Sequence, residues 1–177
     1  MRWGFCLFFL STLLTFNVIP NSFAEQSSSE KHRDKAVELL RKNDCPAAVR
    51  LLWPLAVKND RKSFTILAEA LPTAGLNLPG LPDDDLGWKR SYLTMGIFGF
   101  DRNSQLAGRE LINMLKSGLV SQAAGNEVAL CLETNEDHRE CVDLAVKRKL
   151  IPSHDEFIKE VDFSDLKPDE PKCNWFQ

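Results

Sequence analysis

Between Asp34 and Glu160 the apolar side chains recur with a helical period, and nowhere is there sustained alternation with a period of two. No other feature constrains the fold as strongly, because a helical pattern cannot be laid onto a half-buried strand. "KHRDKAVELLRKND" places Ala36, Leu39 and Leu40 on one face, and Asn43-Asp44 ends it. "CPAAVRLLWPLAVK" follows, with Pro46 suited to a first helical turn, where the missing N–H has no partner to lose. Pro54 stands inside that segment, where a proline forfeits one backbone hydrogen bond and kinks the helix at about 3 kcal/mol. "SFTILAEAL" is the third helix, with Leu67, Ala68 and Leu71 inward. Three prolines and two glycines in "PTAGLNLPGLPDDD" then make 72–85 a loop, and loops this long in a small domain are often functional. Asp83, Asp84 and Asp85 would cap the helix "LGWKRSYLTMGIF", on which Trp88, Tyr92 and Met95 share a face. Ala107, Leu111, Met114 and Leu115 keep the period to Gly118, the expected left-handed stop. Ser121 starts "QAAGNEVALCLE", "CVDLAVKRKL" follows a polar turn, and Ser153 starts a short last helix to Val161. The expected fold is all-α: about seven helices in an irregular α-solenoid or helical-hairpin bundle.

The two ends read differently. Arg2 precedes an apolar run from Gly4 to Val18, a break at Pro20, and small residues at Ser22 and Ala24. This is the three-part pattern of a secretory signal peptide over 1–24, cleaved before Glu25. The run is shorter than the roughly 20 residues that span a bilayer, so no stable membrane insertion is expected after cleavage. The organisation that follows is a flexible polar leader at 25–33, a helical domain at 34–160 and a C-terminal tail at 161–177. Loss of Arg2 leaves 21 basic against 25 acidic residues, which argues against a nucleic-acid partner.

Cys45, Cys131, Cys141 and Cys173 survive the expected cleavage, an even set that suits two disulfides in an exported protein. Four cysteines allow three connectivities. Cys131 ends one helix and Cys141 begins the next, so a bridge between them would clamp a helix pair; Cys45 and Cys173 then pair by elimination, docking the tail.

Two blocks, 47–71 and 106–132, each read as an amphipathic helix, a short polar turn and an Ala/Leu-rich helix. Leu52-Trp53-Pro54-Leu55-Ala56 followed by Asn59-Asp60 resembles a Sel1-like repeat, a relative of the tetratricopeptide repeat. Ser63 and Phe64 stand where that family usually has small alanines, and the second block lacks the proline. The resemblance implies a bacterial, periplasmic or secreted adaptor in which Pro54 is a tolerated kink and a concave helical surface binds protein.

The chemistry-bearing residues give no recognised constellation. Cys131, His138 and Cys141, with His154 downstream, have the spacing of no common structural zinc site. Cys45-Pro46 lacks a second cysteine at redox spacing. Neither a hydrolase signature nor a calcium loop is present, and no catalytic residue, cofactor or metal is expected. Trp88, Tyr92 and Asp83–Asp85, beside the long loop, are the candidate partner contacts. The leading expectation is a non-enzymatic protein-binding domain. The alternative is a small periplasmic inhibitor or immunity-type protein acting through loop 72–85.

Overall fold

In the computed structural model, which describes residues 22–74, 85–118 and 120–161 and the side chains of 28–70, 89–118 and 120–161, every regular element is helical. The order is α1 (Ser22–Arg41), α2 (Cys45–Val57), α3 (Arg61–Ala74), α4 (Asp85–Phe98), a π-helical segment (Gln105–Glu110) that runs directly into α5 (Leu111–Lys116), α6 (Gln122–Thr134), α7 (His138–Lys147) and α8 (His154–Glu160). Consecutive helices form the main packing pairs, α1 on α2, α2 on α3, α3 on α4, α5 on α6 and α6 on α7. That is the connectivity of stacked helical hairpins.

The turns explain the pairing. Asn43 and Asn59 follow α1 and α2 in the left-handed region, at φ 60° and 62°. In each case the asparagine N–H and the following aspartate N–H bond back to the helix: Asn43 to Leu40 and Asp44 to Leu39, Asn59 to Ala56 and Asp60 to Leu55. These are Schellman closures, which satisfy carbonyls that the helix end leaves without partners. The aspartate then starts the next helix. Asp44 Oδ1 accepts from Ala47 N at 3.2 Å, and Asp60 Oδ2 from Ser63 N at 2.9 Å. Asn-Asp is thus a combined stop and start signal, and one such N-cap contributes about 1 kcal/mol. Lys149, at φ 56°, closes α7 the same way, and Gly118, at φ 82°, stands just past α5 as its sequence position implied. Ser153 forms a complete capping box with Glu156, whereas Ser121 occupies the cap position of α6 without a side-chain bond.

Two boundaries differ from expectation. Residues 25–33, expected as a flexible leader, lie within α1, and the expected cleavage point before Glu25 falls in its first turn. Once 34–41 are helical and docked, each upstream residue adds a hydrogen bond without a new nucleation step. Arg33 supports the extension through an ion pair with Asp60 at 2.9 Å. α3 continues through Pro72 to Ala74, so the loop begins later than expected. Residues 75–84 and the tail beyond Val161 lie outside the described residues.

The core is predominantly apolar, and its few buried polar side chains include Ser63 and Thr94, whose hydroxyls bond to Asp60 and the Arg90 carbonyl. Phe64, Leu52, Leu67, Met95, Leu111, Leu115 and Leu132 are all within 2% of complete burial. Each contributes roughly 1.5–3 kcal/mol relative to exposure. Phe64 meets Phe98 at 5.1 Å and Phe157 at 6.5 Å, and Trp53 meets Phe157 edge-on at 6.2 Å. This cluster holds α8 across α2, α3 and α4. The large side chain at 64 fills the space that α8 closes. Pro54 lies inside α2 with its ring exposed, so the forfeited hydrogen bond is on the solvent side.

Two glycines mark backbone-to-backbone contact. A Cβ on Gly99 would lie 2.2 Å from Thr65 N, and one on Gly125 would lie 2.2 Å from Leu115 O. Cys131 and Cys141 are joined, with Cα atoms 5.5 Å apart, clamping α6 to α7 as their positions predicted. Cys45 is buried and disulfide-bonded to a cysteine outside the described residues. Cys173 lies there too.

Candidate functional site

The last carbonyls of a helix have no intrahelical donors. Here three helix ends gather on one side of the fold, and side chains from other elements add donors to carbonyls there, beside turn N–H groups such as that of Asn59 on Ala56 O. His154, from α8, lies 2.9 Å through Nε2 from the Ala56 carbonyl at the end of α2. His138, from α7, lies 2.6 Å through Nε2 from the Ile97 carbonyl at the end of α4. A carbonyl only accepts, so both rings donate through Nε2–H. Just past α4, Arg61 donates to Phe100 O and Thr65 Oγ1 to Gly99 O. Arg102 donates to Leu132 O at 3.2 Å and Asn135 O at 2.7 Å, closing α6.

These caps fix the walls of an open trough with three adjoining lobes. The largest, about 530 Å³, lies between His138, His154 and Arg139 over Phe98 and Val142. The central lobe, about 300 Å³, shares Arg61, Glu136 and His138 with it and is bounded by Asn103 and Asn135. The third, about 330 Å³, shares Phe100 and Arg102 with the central lobe and reaches Arg109, Ile112 and Asn113 beside the π-helical segment.

The structure therefore brings His138 and His154 into one lobe, which their sequence positions did not reveal. Burial lowers the pKa of His138, and nearby Arg61 lowers it further, while its bond to the Ile97 carbonyl and the charge of Asp137 oppose the shift. The His154 ring is held edge-on to Phe64 and Phe98, at 5.9 and 5.8 Å. Both Nε2–H groups are committed to carbonyls, so these histidines act first as cross-helix staples. Among the described residues no group of three His, Cys, Asp or Glu side chains has metal-binding geometry. The cluster Cys131, His138 and Cys141 resolves into a disulfide and a cap.

The rim differs from the walls. Glu136, Arg139 and Asp143 are exposed, and their side chains make no hydrogen bond or ion pair with the described residues. Their charges face solvent at the mouth of the trough.

Tyr92, expected as a partner contact, is a correction. It is 3% exposed, its hydroxyl donates to Leu106 O at 2.6 Å, and burial raises its pKa. Met95, on the same face, is 1% exposed, so that face of α4 is core. The side chains of Trp88 and Asp85 and all of Asp83 and Asp84 lie outside the described residues.

Arg61 and Arg102 carry the trough and were not singled out by sequence. Their signal is positional: each is a long cationic side chain beside a turn, placed to reach carbonyls at the end of a neighbouring helix. No protein-family model matches the chain, and no curated protein or solved structure matches it either.

Proposed function

We propose that the chain is an exported, non-enzymatic protein-binding domain of helical-hairpin type, and that the trough is its working surface. The observation that carries this reading is the division of labour between wall and rim. The histidines and arginines that could do chemistry are committed to helix-end carbonyls. The unbonded charges of Glu136, Arg139 and Asp143 instead line the largest lobe, and Glu136 also borders the central one. Such a surface suits a polypeptide partner, which can meet charge and amide groups along its length. The Cys131–Cys141 bridge supports export, since structural disulfides persist in oxidising compartments. The Sel1-like outline of 52–60 supports the scaffold role.

Affinity capture from the compartment into which the protein is exported tests the proposal. The parent is compared with a double variant, Arg139→Glu with Asp143→Lys, and with a deletion of 75–84. Partners lost only from the double variant support the trough. Partners lost only from the deletion transfer the function to the loop, as in the inhibitor-type alternative. A partner set unchanged by both sinks the reading.

A further inference from the structure

The three lobes do not carry the same charge. At the π-helical end Arg102 and Arg109 face Glu133, which is already paired with Lys116 at 2.8 Å. That end therefore carries two guanidinium groups over an apolar floor of Phe100 and Ile112; Arg102 spends part of its fork on the Leu132 and Asn135 carbonyls and Arg109 one N–H on Gln105, and the remaining N–H groups of both exposed side chains are left for a ligand. At the opposite end the carboxylates of Glu136, Asp137 and Asp143 outnumber the guanidinium groups of Arg61 and Arg139. The amides of Asn103 and Asn135 border the lobe between them. Adjoining lobes share wall residues, so the three lie side by side, with a cationic and an anionic end.

We propose that the trough takes an extended polypeptide segment of polarised charge, its acidic side chains at Arg102 and Arg109 and its basic side chains at Glu136 and Asp143. This rests on the reading of the trough as a protein-binding surface and names the class of segment it selects. Each feature of the surface has a counterpart in such a ligand. An extended main chain exposes N–H and C=O groups to the Asn103 amide, which makes no hydrogen bond with the described residues, whereas the Asn135 amide is held by Glu140 and Asp137. A lysine or arginine stem lies along Phe98 and Val142 with its head at the carboxylates. A uniformly acidic or basic segment would be repelled at one end, and opposed charge of this kind fixes register and direction more than it adds affinity.

The probes are four synthetic decapeptides of equal length: acidic-to-basic, basic-to-acidic, uniformly acidic and uniformly basic. Binding to the full mature protein is read by fluorescence anisotropy at low and at physiological salt. One polarised order is expected to bind best, on the order of severalfold to tenfold above the other at low salt, because each exposed pair contributes only a few-fold. Exchanging the end charges, with Arg109→Glu and Asp143→Arg together, is expected to reverse the preferred order. Neither residue caps a helix end, and circular dichroism of the variant verifies that the fold is retained. Equal binding of the two orders, best binding of a uniform peptide, or an unchanged preference in the exchanged variant each overturn the proposal. If peptides show no preference while the capture experiment still finds a partner at the trough, polarity selection alone has failed. If capture also fails, the protein-binding reading has failed with it.

Discussion

Replacing Gly125 with alanine sets two effects of known sign against each other. Gly125 lies inside α6, where alanine is favoured over glycine by about 0.8–1 kcal/mol. The added Cβ, however, would stand 2.2 Å from the carbonyl oxygen of Leu115 and 3.0 Å from Val120 Cγ2. Carbon-to-oxygen contacts between packed helices sit near 3.3–3.6 Å, so α6 would have to retreat from α5 by about 1 Å. Retreat is opposed on both sides. Leu115 and Val128 are completely buried, and the Cys131–Cys141 bridge ties α6 to α7. Overpacking of this kind costs about 1–3 kcal/mol, and the obstacle is backbone rather than a movable side-chain tip. The steric effect therefore wins, and Gly125→Ala is expected to lose about 1 kcal/mol net. For a domain of this size that is a fall in Tm of roughly 2–4 °C. Asn126→Ala, at the exposed neighbouring position, supplies the control and should gain about half a kcal/mol from propensity alone. Urea and thermal unfolding measure both. A Gly125→Ala variant as stable as the parent would refute the close approach of α5 and α6.

Other perturbations address the turns and the staples. His138 has its pKa lowered in the folded state, so the unfolded chain takes up the proton first and stability falls as pH drops below about 6.5. His138→Gln, which keeps a donor for the Ile97 carbonyl but cannot titrate, should flatten urea midpoints between pH 7 and 5; an unchanged slope would mean that this histidine is not charging at a cost. Asp60→Ala removes an N-cap and the partner of Arg33, and should lose about 2 kcal/mol, against about 0.5 kcal/mol or less for Asp155→Ala, whose side chain is 89% exposed. Replacing Cys131 and Cys141 together by serine opens a short loop and should lose about 2–3 kcal/mol without altering helix content by circular dichroism. Peptide mapping of the unreduced protein should join Cys45 to Cys173; Cys173 found as a free thiol would remove the tail from the account.

The helices were legible because their signals are local. Spacing of apolar residues, a proline in the first turn of α2, a glycine past α5 and a serine before α8 each act within one or two turns of chain. The Asn-Asp pairs could be read as turns for the same reason. The start of α1 could not, because a polar segment such as 25–33 has no apolar face, and its order follows from neighbours such as Asp60. Trp88, Tyr92 and Met95 showed a shared face, but periodicity does not say whether a face meets the core or a partner. For Tyr92 and Met95 burial decided it. The trough was illegible for a stronger reason. His154 and Ala56 are separated by 98 residues and His138 and Ile97 by 41, and only the stacking of hairpins brings them together.

Site-specific photocrosslinking tests the central claim most directly. A photoreactive residue is placed at 109 and 139 on the trough rim and, as a control, at 41 at the end of α1, and cells making the protein are irradiated. The account predicts covalent adducts with the same protein partner from 109 and 139 and none from 41. Adducts from 41 alone, or different partners at 109 and 139, would contradict it.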